Sequence, residues 1–311
     1  MSGGSAYATP VALRAAITDR LRRLAAQRSG RSLQDLLRQF AYDRLLYRVF
    51  SGDDSARWVL KGATALLARL GGDARHTIDV DLYSRTGNLE EAERALRLAT
   101  SRDVGDYFRF ELSPGRRIAE GGVALRVNVT AFLGATEFAR FNVDLVAGLG
   151  MTGAPDQAEP LVAIEIPGVP QTRYRIYPLA DHIADKVLAI IERHPRQDAE
   201  STSSTRYRDL ADLVVIARRE TMDAEAIALA LRLQSDRRGL ELPTTLRPPR
   251  DAGWTAGYAR VARDVPDLAE RDIRSAMATV SRFIDPVLQG RARGRWDPQR
   301  MSWAAGDKAD S

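Results

Sequence analysis

The sequence predicts an α+β fold, a mixed sheet with helices against it, preceded by a helical hairpin and followed by a mainly helical C-terminal domain. Three observations predict it. Apolar residues recur at helical spacing through the first 50 positions and again from residue 178 onward, the pattern of helices with one face inward. Between those regions, stretches such as "TIDVDLYS" and "FNVDLV" alternate their side chains with the two-residue period of a strand. The Pro-marked segment "IPGVPQTRYRIYP" separates the two patterns and places a boundary near residue 175.

Taken in order, Thr9 with Pro10 opens a helix and Gly30 stops it, with Leu13, Ile17, Leu21 and Leu24 as its apolar stripe. Ser32 and Asp35 resemble a capping box at the start of a second helix, whose inner side carries Leu36, Leu37, Phe40 and Leu45. Residues 1–55 therefore read as a helical hairpin. "WVLKG" is a short strand ending at Gly62, "ATALLARL" a short helix, "HTIDVDLYS" a strand, and 88–100 an amphipathic helix that Asn88 caps. Strands at 107–113, 123–132 and 138–147 complete a core spanning 56–175. Helices follow at 178–194, 206–219, 223–234 and 265–288 within a domain of 176–290, "PTTLRPPRDAG" is a loop among them, and 291–311 read as a disordered tail.

At 311 residues, 44% of them hydrophobic and 28% charged, the chain can bury a full core, and disorder throughout is excluded. The absence of Cys excludes disulfides, thiolate catalysis and Cys-based zinc sites together. Apolar runs fall far short of the roughly 20 residues of a membrane span, and the start lacks a basic segment followed by an apolar one. A cytoplasmic protein with no membrane partner is expected. The net charge of +5 permits nucleic-acid or nucleotide binding without requiring it. Of 46 basic residues only Lys61, Lys186 and Lys308 are lysines. In a chain that uses Arg almost everywhere, Lys61 and Lys186 are expected where a compact ammonium is needed and a planar fork does not fit.

The candidate chemistry begins with Asp79 and Asp81. Both sit between branched apolar residues, where an isolated charge is expensive to desolvate. Alternation puts Thr77, Asp79 and Asp81 on one face and Ile78, Val80 and Leu82 on the other. The acidic face needs a counter-charge, either a divalent metal or a cluster of Arg and Lys. Asp144 repeats the pattern in "FNVDLV", and if its strand neighbours the first, three carboxylates meet on one sheet face. Such hard oxygen donors suit one or two Mg²⁺ ions. Upstream, Gly62 with the small Ala63 makes a tight strand-to-helix turn whose N–H groups can approach phosphate oxygens.

The order of these pieces resembles the nucleotidyltransferase superfamily with the polymerase-beta-like fold: a small-residue turn, an acid-x-acid strand, then a third acid in a later strand. More narrowly, "WVLKGATALLARL", "RHTIDVDL", "DHIADKVLAIIERH" and "RYRDLADL" resemble the AbiEii/AbiGii toxin family, which includes MenT-type toxins of toxin–antitoxin pairs. The resemblance covers roughly residues 30–220, and Ala63 departs from the second Gly or Ser usual at its position. It implies transfer of a nucleoside monophosphate from a nucleoside triphosphate to an acceptor, for several members the tRNA 3′ end, and a cognate antitoxin as partner. Carried over residue by residue, it implies Asp79, Asp81 and Asp144 as metal ligands and catalytic residues, with Lys186 and Asp209 as the Lys and Asp of the helical region. Gly62, Ala63, Thr64, Arg75, Thr77 and Lys186 are the expected nucleotide contacts.

The residues support the helical pair independently. Lys186 lies at the margin of an apolar stripe, so its stem can pack while its ammonium reaches outward. Asp209 shares a face with Asp212, Leu213 and Ile216 and wants a cation, for which Lys186 is the first choice. A structural salt bridge between two helices is the competing reading. Two other functions remain open from sequence: a non-catalytic RNA- or partner-binding protein, and nucleotide transfer to a protein side chain. His76, His182 and His194 are too scattered for a metal motif, and Trp58 reads as a core residue.

Overall fold

The structure is a computed structural model that describes residues 6–27, 32–75, 77–118, 124–148, 150–192, 206–248, 252–265 and 267–304. The chain divides into two compact units. One comprises Met1–Gly72, His76–Gly150 and Pro155–Tyr177, the other Asp73–Arg75, Met151–Ala154 and Pro178–Ser311.

The first unit opens with α1 (Pro10–Gln27) and α2 (Leu33–Phe50). The Thr9 hydroxyl accepts from Ala12 N and the Ser32 hydroxyl from Asp35 N, so both starts are capped as their sequences suggest. The sheet strands are β1 (Trp58–Lys61), β2 (Asp79–Ser84), β3 (Phe108–Leu112), β4 (Arg116–Ile118), β5 (Ala124–Leu133), β6 (Thr136–Ala147), β7 (Asp156–Ala158) and β8 (Tyr174–Ile176), with α3 (Gly62–Leu70) and α4 (Leu89–Thr100) between them. They pair in the order β3-β5-β6-β2-β1-β8-β7, with β4 on β5. The sheet is mixed, because β2 runs parallel to β6 and β1 parallel to β8 while the other pairs are antiparallel. β4, β7 and β8, outside the strands expected from the sequence, are three residues each, too short for a two-residue alternation to mark them.

The β5–β6 hairpin carries a constraint that decides the site. Buried positions on β5 are Leu125, Val127, Val129, Ala131 and Leu133, and on β6 Phe141, Val143 and Leu145. The ladder starts at Leu133 opposite Thr136, and carried on without interruption it would set Arg126 against Val143, forcing a guanidinium into the core. A bulge between Ala131 and Phe132 shifts the register by one residue, so Val127 meets Val143 and Arg126 meets Asp144.

Beneath the sheet, α2 buries two arginines on a single acid. Asp106 accepts from Arg44 Nε at 2.7 Å and from Arg48 at 2.8 and 3.1 Å, with all three side chains essentially inaccessible. Carbonyls of Pro170, Arg102, Arg44 and Phe108 accept from Arg44 Nη1 and from Arg48 at 2.5 to 3.0 Å, while Arg44 Nη2 is buried without a hydrogen-bond partner. The hairpin expected over 1–55 thus packs within the first unit. Ile78, expected on the core face, is 60% exposed, because the strand begins only at Asp79.

The second unit contains α5 (Leu179–Ile191), α6 (Tyr207–Arg219), α7 (Ala224–Arg238), α8 (Ala252–Arg263) and α9 (Ile273–Leu288). Residues 291–304, expected to belong to a disordered tail, are ordered instead. They form a hairpin of β9 (Trp296–Asp297) and β10 (Ser302–Trp303), because two tryptophans have somewhere to go. Trp296 is fully buried and donates to Ala217 O at 2.7 Å, while Trp303 stacks on Phe283 at 5.7 Å between ring centroids. The rest of that tail, 305–311, lies outside the described residues. Among the described residues no helix is long and apolar enough to cross a membrane.

Replacing Asp106 by Ala leaves two guanidinium groups buried without an anion, for which the expected loss is about 3–5 kcal/mol. Urea unfolding of the Asp106→Ala chain measures it, and a loss below about 1 kcal/mol would contradict the buried-charge account.

Candidate active site

The site of the first unit is a polar row across four strands. Register places Lys61 of β1 opposite Asp81 of β2, Asp81 beside Asp144 of β6, and Asp144 opposite Arg126 of β5. Two carboxylates are flanked by two cations on one sheet face. One step along the strands, Asp79 pairs with Asn142 and Asn142 with Asn128. Val80, Leu82, Val143 and Leu145 point the other way into the core, which leaves the acids no alternative face.

Each acid has a different set of partners. Asp144 receives a two-pronged contact from Arg126, with Nε on Oδ1 and Nη2 on Oδ2, both at 2.7 Å. Arg126 also lies 3.6 Å from Asp79 Oδ2, and Asn142 Nδ2 donates to Asp79 Oδ1 at 2.8 Å. The Asp144 hydrogen bonds, together with the charges of Asp144, Asp79 and Asp81, outweigh burial and raise the Arg126 pKa above its ordinary value. Asp81 lies over Gly62: a Cβ at that position would collide with the Asp81 carboxylate. Gly62 also has φ of 59°, in the region that favours glycine. The residue before it, Lys61, stands at the N-cap of α3 and has no side-chain acceptor for the first helical N–H groups. Its Nζ sits 4.6 Å over the Tyr177 ring.

Thr64 and Thr77, expected as nucleotide contacts, turn their hydroxyls onto the protein. Both donate to the Asp79 carbonyl, at 2.7 and 3.1 Å, and both side chains are buried. They fix where β2 begins and so position Asp79. Ala63 is buried at the start of α3.

Lys186, Asp209 and Arg75 lie in the second unit. Lys186 on α5 is buried and donates to Asp209 at 2.9 Å and to Asp212 at 2.6 Å, both on α6. Arg75 reaches Asp212 at 3.0 and 3.3 Å. Burial alone would lower the Lys186 pKa, but the charges of Asp209 and Asp212 overcome it and raise the value. Burial would likewise raise Asp212, and the charges of Lys186 and Arg75 overcome it and hold the carboxyl below the usual range. The Lys186–Asp209 pair and the shared face of Asn142 and Asp144 are readable from the sequence, and Lys61 stands out as one of three lysines; Asp212 as the second partner of Lys186 and Arg126 as a member of the acidic face are not. For Arg126 the available signal was its polar position in the alternation of "ALRVNVTAFL". His182 is buried on α5, and His76 and His194 lie outside the described residues.

Hard carboxylate oxygens on one face suit a divalent cation, and Asp79 and Asp81 fit that role. Asp144 has both oxygens engaged by Arg126. Among the described residues no three carboxylate or imidazole groups converge as they stand to hold an ion.

Two outcomes are expected. Gly62→Ala loses activity, because the added methyl must displace Asp81 and the backbone prefers glycine by roughly 1–2 kcal/mol; near-normal turnover in a purified variant would overturn this reading. Asp212's contribution to stability is present above the unfolded carboxyl pKa of about 3.9 and is lost as pH falls through its lower folded value. Lys186's is present below about 10.4 and is lost as pH rises through its raised folded value. Thermal unfolding against pH checks both, and Asp212→Asn should shrink the acid-side loss.

A family model, the nucleotidyl transferase AbiEii toxin of type IV TA systems, matches residues 44–280. No curated protein matches the chain. Among solved structures, MenT4, a nucleotidyltransferase toxin from Mycobacterium tuberculosis H37Rv, is similar with 21% identity and TM-score 0.49, over 89% of this chain and 99% of that one. A provisionally assigned nucleotidyltransferase from H. pylori is similar with 17% identity and TM-score 0.45, over 85% of this chain and 100% of that one. The antibiotic-resistance factor ANT(2'')-Ia is similar with 18% identity and TM-score 0.33, over 66% of this chain and 95% of that one. With the family model spanning most of its length, and both the acidic sheet face and the Lys186 cluster inside the match, the chain belongs to the AbiEii nucleotidyltransferase toxin family.

Proposed function

We propose that this nucleotidyltransferase moves a nucleoside monophosphate from a nucleoside triphosphate to the 3′ end of a tRNA in the cytoplasm, as the toxin of a toxin–antitoxin pair. The observation that carries the chemistry is the register that sets Asp81 beside Asp144, next to the start of α3. When bound by Asp79, Asp81 and Asp144, one or two Mg²⁺ ions supply charge compensation for the triphosphate and acidify the attacking hydroxyl.

The chain's own residues do the rest. The first N–H groups of α3, with Gly62 and Ala63 leaving room, receive phosphate oxygens. Asp144 accepts the proton of the acceptor hydroxyl as its oxygen attacks the α-phosphorus, and the bond to pyrophosphate breaks in line. Thr64 and Thr77 act at one remove by holding Asp79 in place. Lys186 supplies an ammonium for the phosphates and Asp209 holds it, the roles that the family resemblance implies. The tRNA acceptor rests on that resemblance and on the chain's positive charge of +5.

The test is to incubate the chain with each α-labelled triphosphate in turn, Mg²⁺ and total tRNA. Label in RNA is expected, and chelation of the metal should abolish it. Label in protein would move the acceptor to a side chain, and no label at all would favour a binding protein. Asp81→Ala should keep its fold by circular dichroism yet lose transfer by at least about a hundredfold, equivalent to ~3 kcal/mol of lost transition-state stabilisation.

A further inference from the structure

Arg126 stands where a cation would stand. Its guanidinium covers both oxygens of Asp144 at 2.7 Å and comes within 3.6 Å of Asp79, two of the three carboxylates of the acidic face. The side chain is about one third exposed, so it can swing out without breaking the core. Its neighbours along β5, Leu125 and Val127, are buried, so the backbone beneath it is anchored. A bare divalent cation approaching these oxygens meets a fixed positive charge. A cation that arrives with a triphosphate brings its own negative charge. Phosphate oxygens offer the guanidinium the same two-pronged geometry as a carboxylate.

We infer that Arg126 is a positioning residue that trades Asp144 for the incoming triphosphate, so that the acidic face takes up metal together with nucleotide and only weakly alone. The inference rests on the metal-and-nucleotide reading of this face proposed above. Arg126 serves as the counter-charge of Asp144 between turnovers and as a phosphate ligand during them, and the same guanidinium cannot do both at once. Metal affinity and nucleotide affinity are therefore coupled through one side chain.

Two titrations test this on the full chain. In the first, free Mn²⁺ is followed by electron paramagnetic resonance, with and without non-hydrolysable α,β-methylene triphosphates. The wild type should bind Mn²⁺ weakly alone and more tightly with the analogue. Arg126→Gln should bind Mn²⁺ alone at least about tenfold more tightly, with much of the coupling gone. In the second, the analogue is titrated with chelator present, and Arg126→Gln should bind it about tenfold more weakly. A merely structural arginine would not move the two affinities in opposite directions. Should Arg126→Gln not fold, Arg126→Lys keeps the charge but loses the fork, and it should retain weak Mn²⁺ binding while losing analogue affinity. Unchanged or weaker Mn²⁺ binding by Arg126→Gln overturns the trade while leaving the acidic face standing. Failure of the wild type to bind Mn²⁺ under either condition overturns both the trade and the metal site on which it rests.

Discussion

The interaction on which the site depends is the parallel pairing of β2 with β6, which sets Asp81 beside Asp144 in a ladder that neither side chain can leave. Like charges on neighbouring strands of one sheet face work against the pairing. Here the backbone holds them together because Val80, Leu82, Val143 and Leu145 are committed to the core on the reverse face. The repulsion is answered within the same row by Arg126 and Lys61. What the core gains on one face of the sheet is what allows a concentration of negative charge on the other.

That arrangement requires one departure from regularity. The hydrophobic alternation of β5 and that of β6 are out of step with a hairpin closed at Leu133 and Thr136, and the bulge at Ala131 and Phe132 reconciles them. The extra residue this introduces on β6 is Phe138, whose ring packs against Phe108 at 5.0 Å and Phe40 at 6.4 Å, so the irregularity sits on an aromatic cluster. Core packing and site electrostatics thus ask for the same shift.

The acids were legible in the sequence because a lone carboxylate in an apolar alternation is conspicuous wherever its strand ends up. Thr9, Ser32 and Asn88 were legible because capping is local, and α4 shows both halves of its capping box. Arg126 was marked only by its polar position in the alternation of β5, and in a chain this rich in Arg that position does not single it out until strand order and the bulge are known. Ile78 was misplaced because alternation gives the phase of a strand but not its first residue, which the hydroxyls of Thr64 and Thr77 determine. The hairpin after α9 was hidden by its composition: four arginines, at positions 291, 293, 295 and 300, surround the tryptophans that anchor it. Lys186 and Asp209 were readable as a pair from one helix face each, whereas Asp212 and Arg75 needed the tertiary structure.

The distribution of tryptophan has a practical side. Trp58 is the indole of the first unit, packed at the base of β1, while Trp254, Trp296 and Trp303 belong to the second, two of them within stacking distance of Phe283. Intrinsic emission from this chain is therefore dominated by its helical half. A fluorescence trace taken during denaturation reports the melting of that half first and foremost, and the sheet that bears the acids needs a probe of its own.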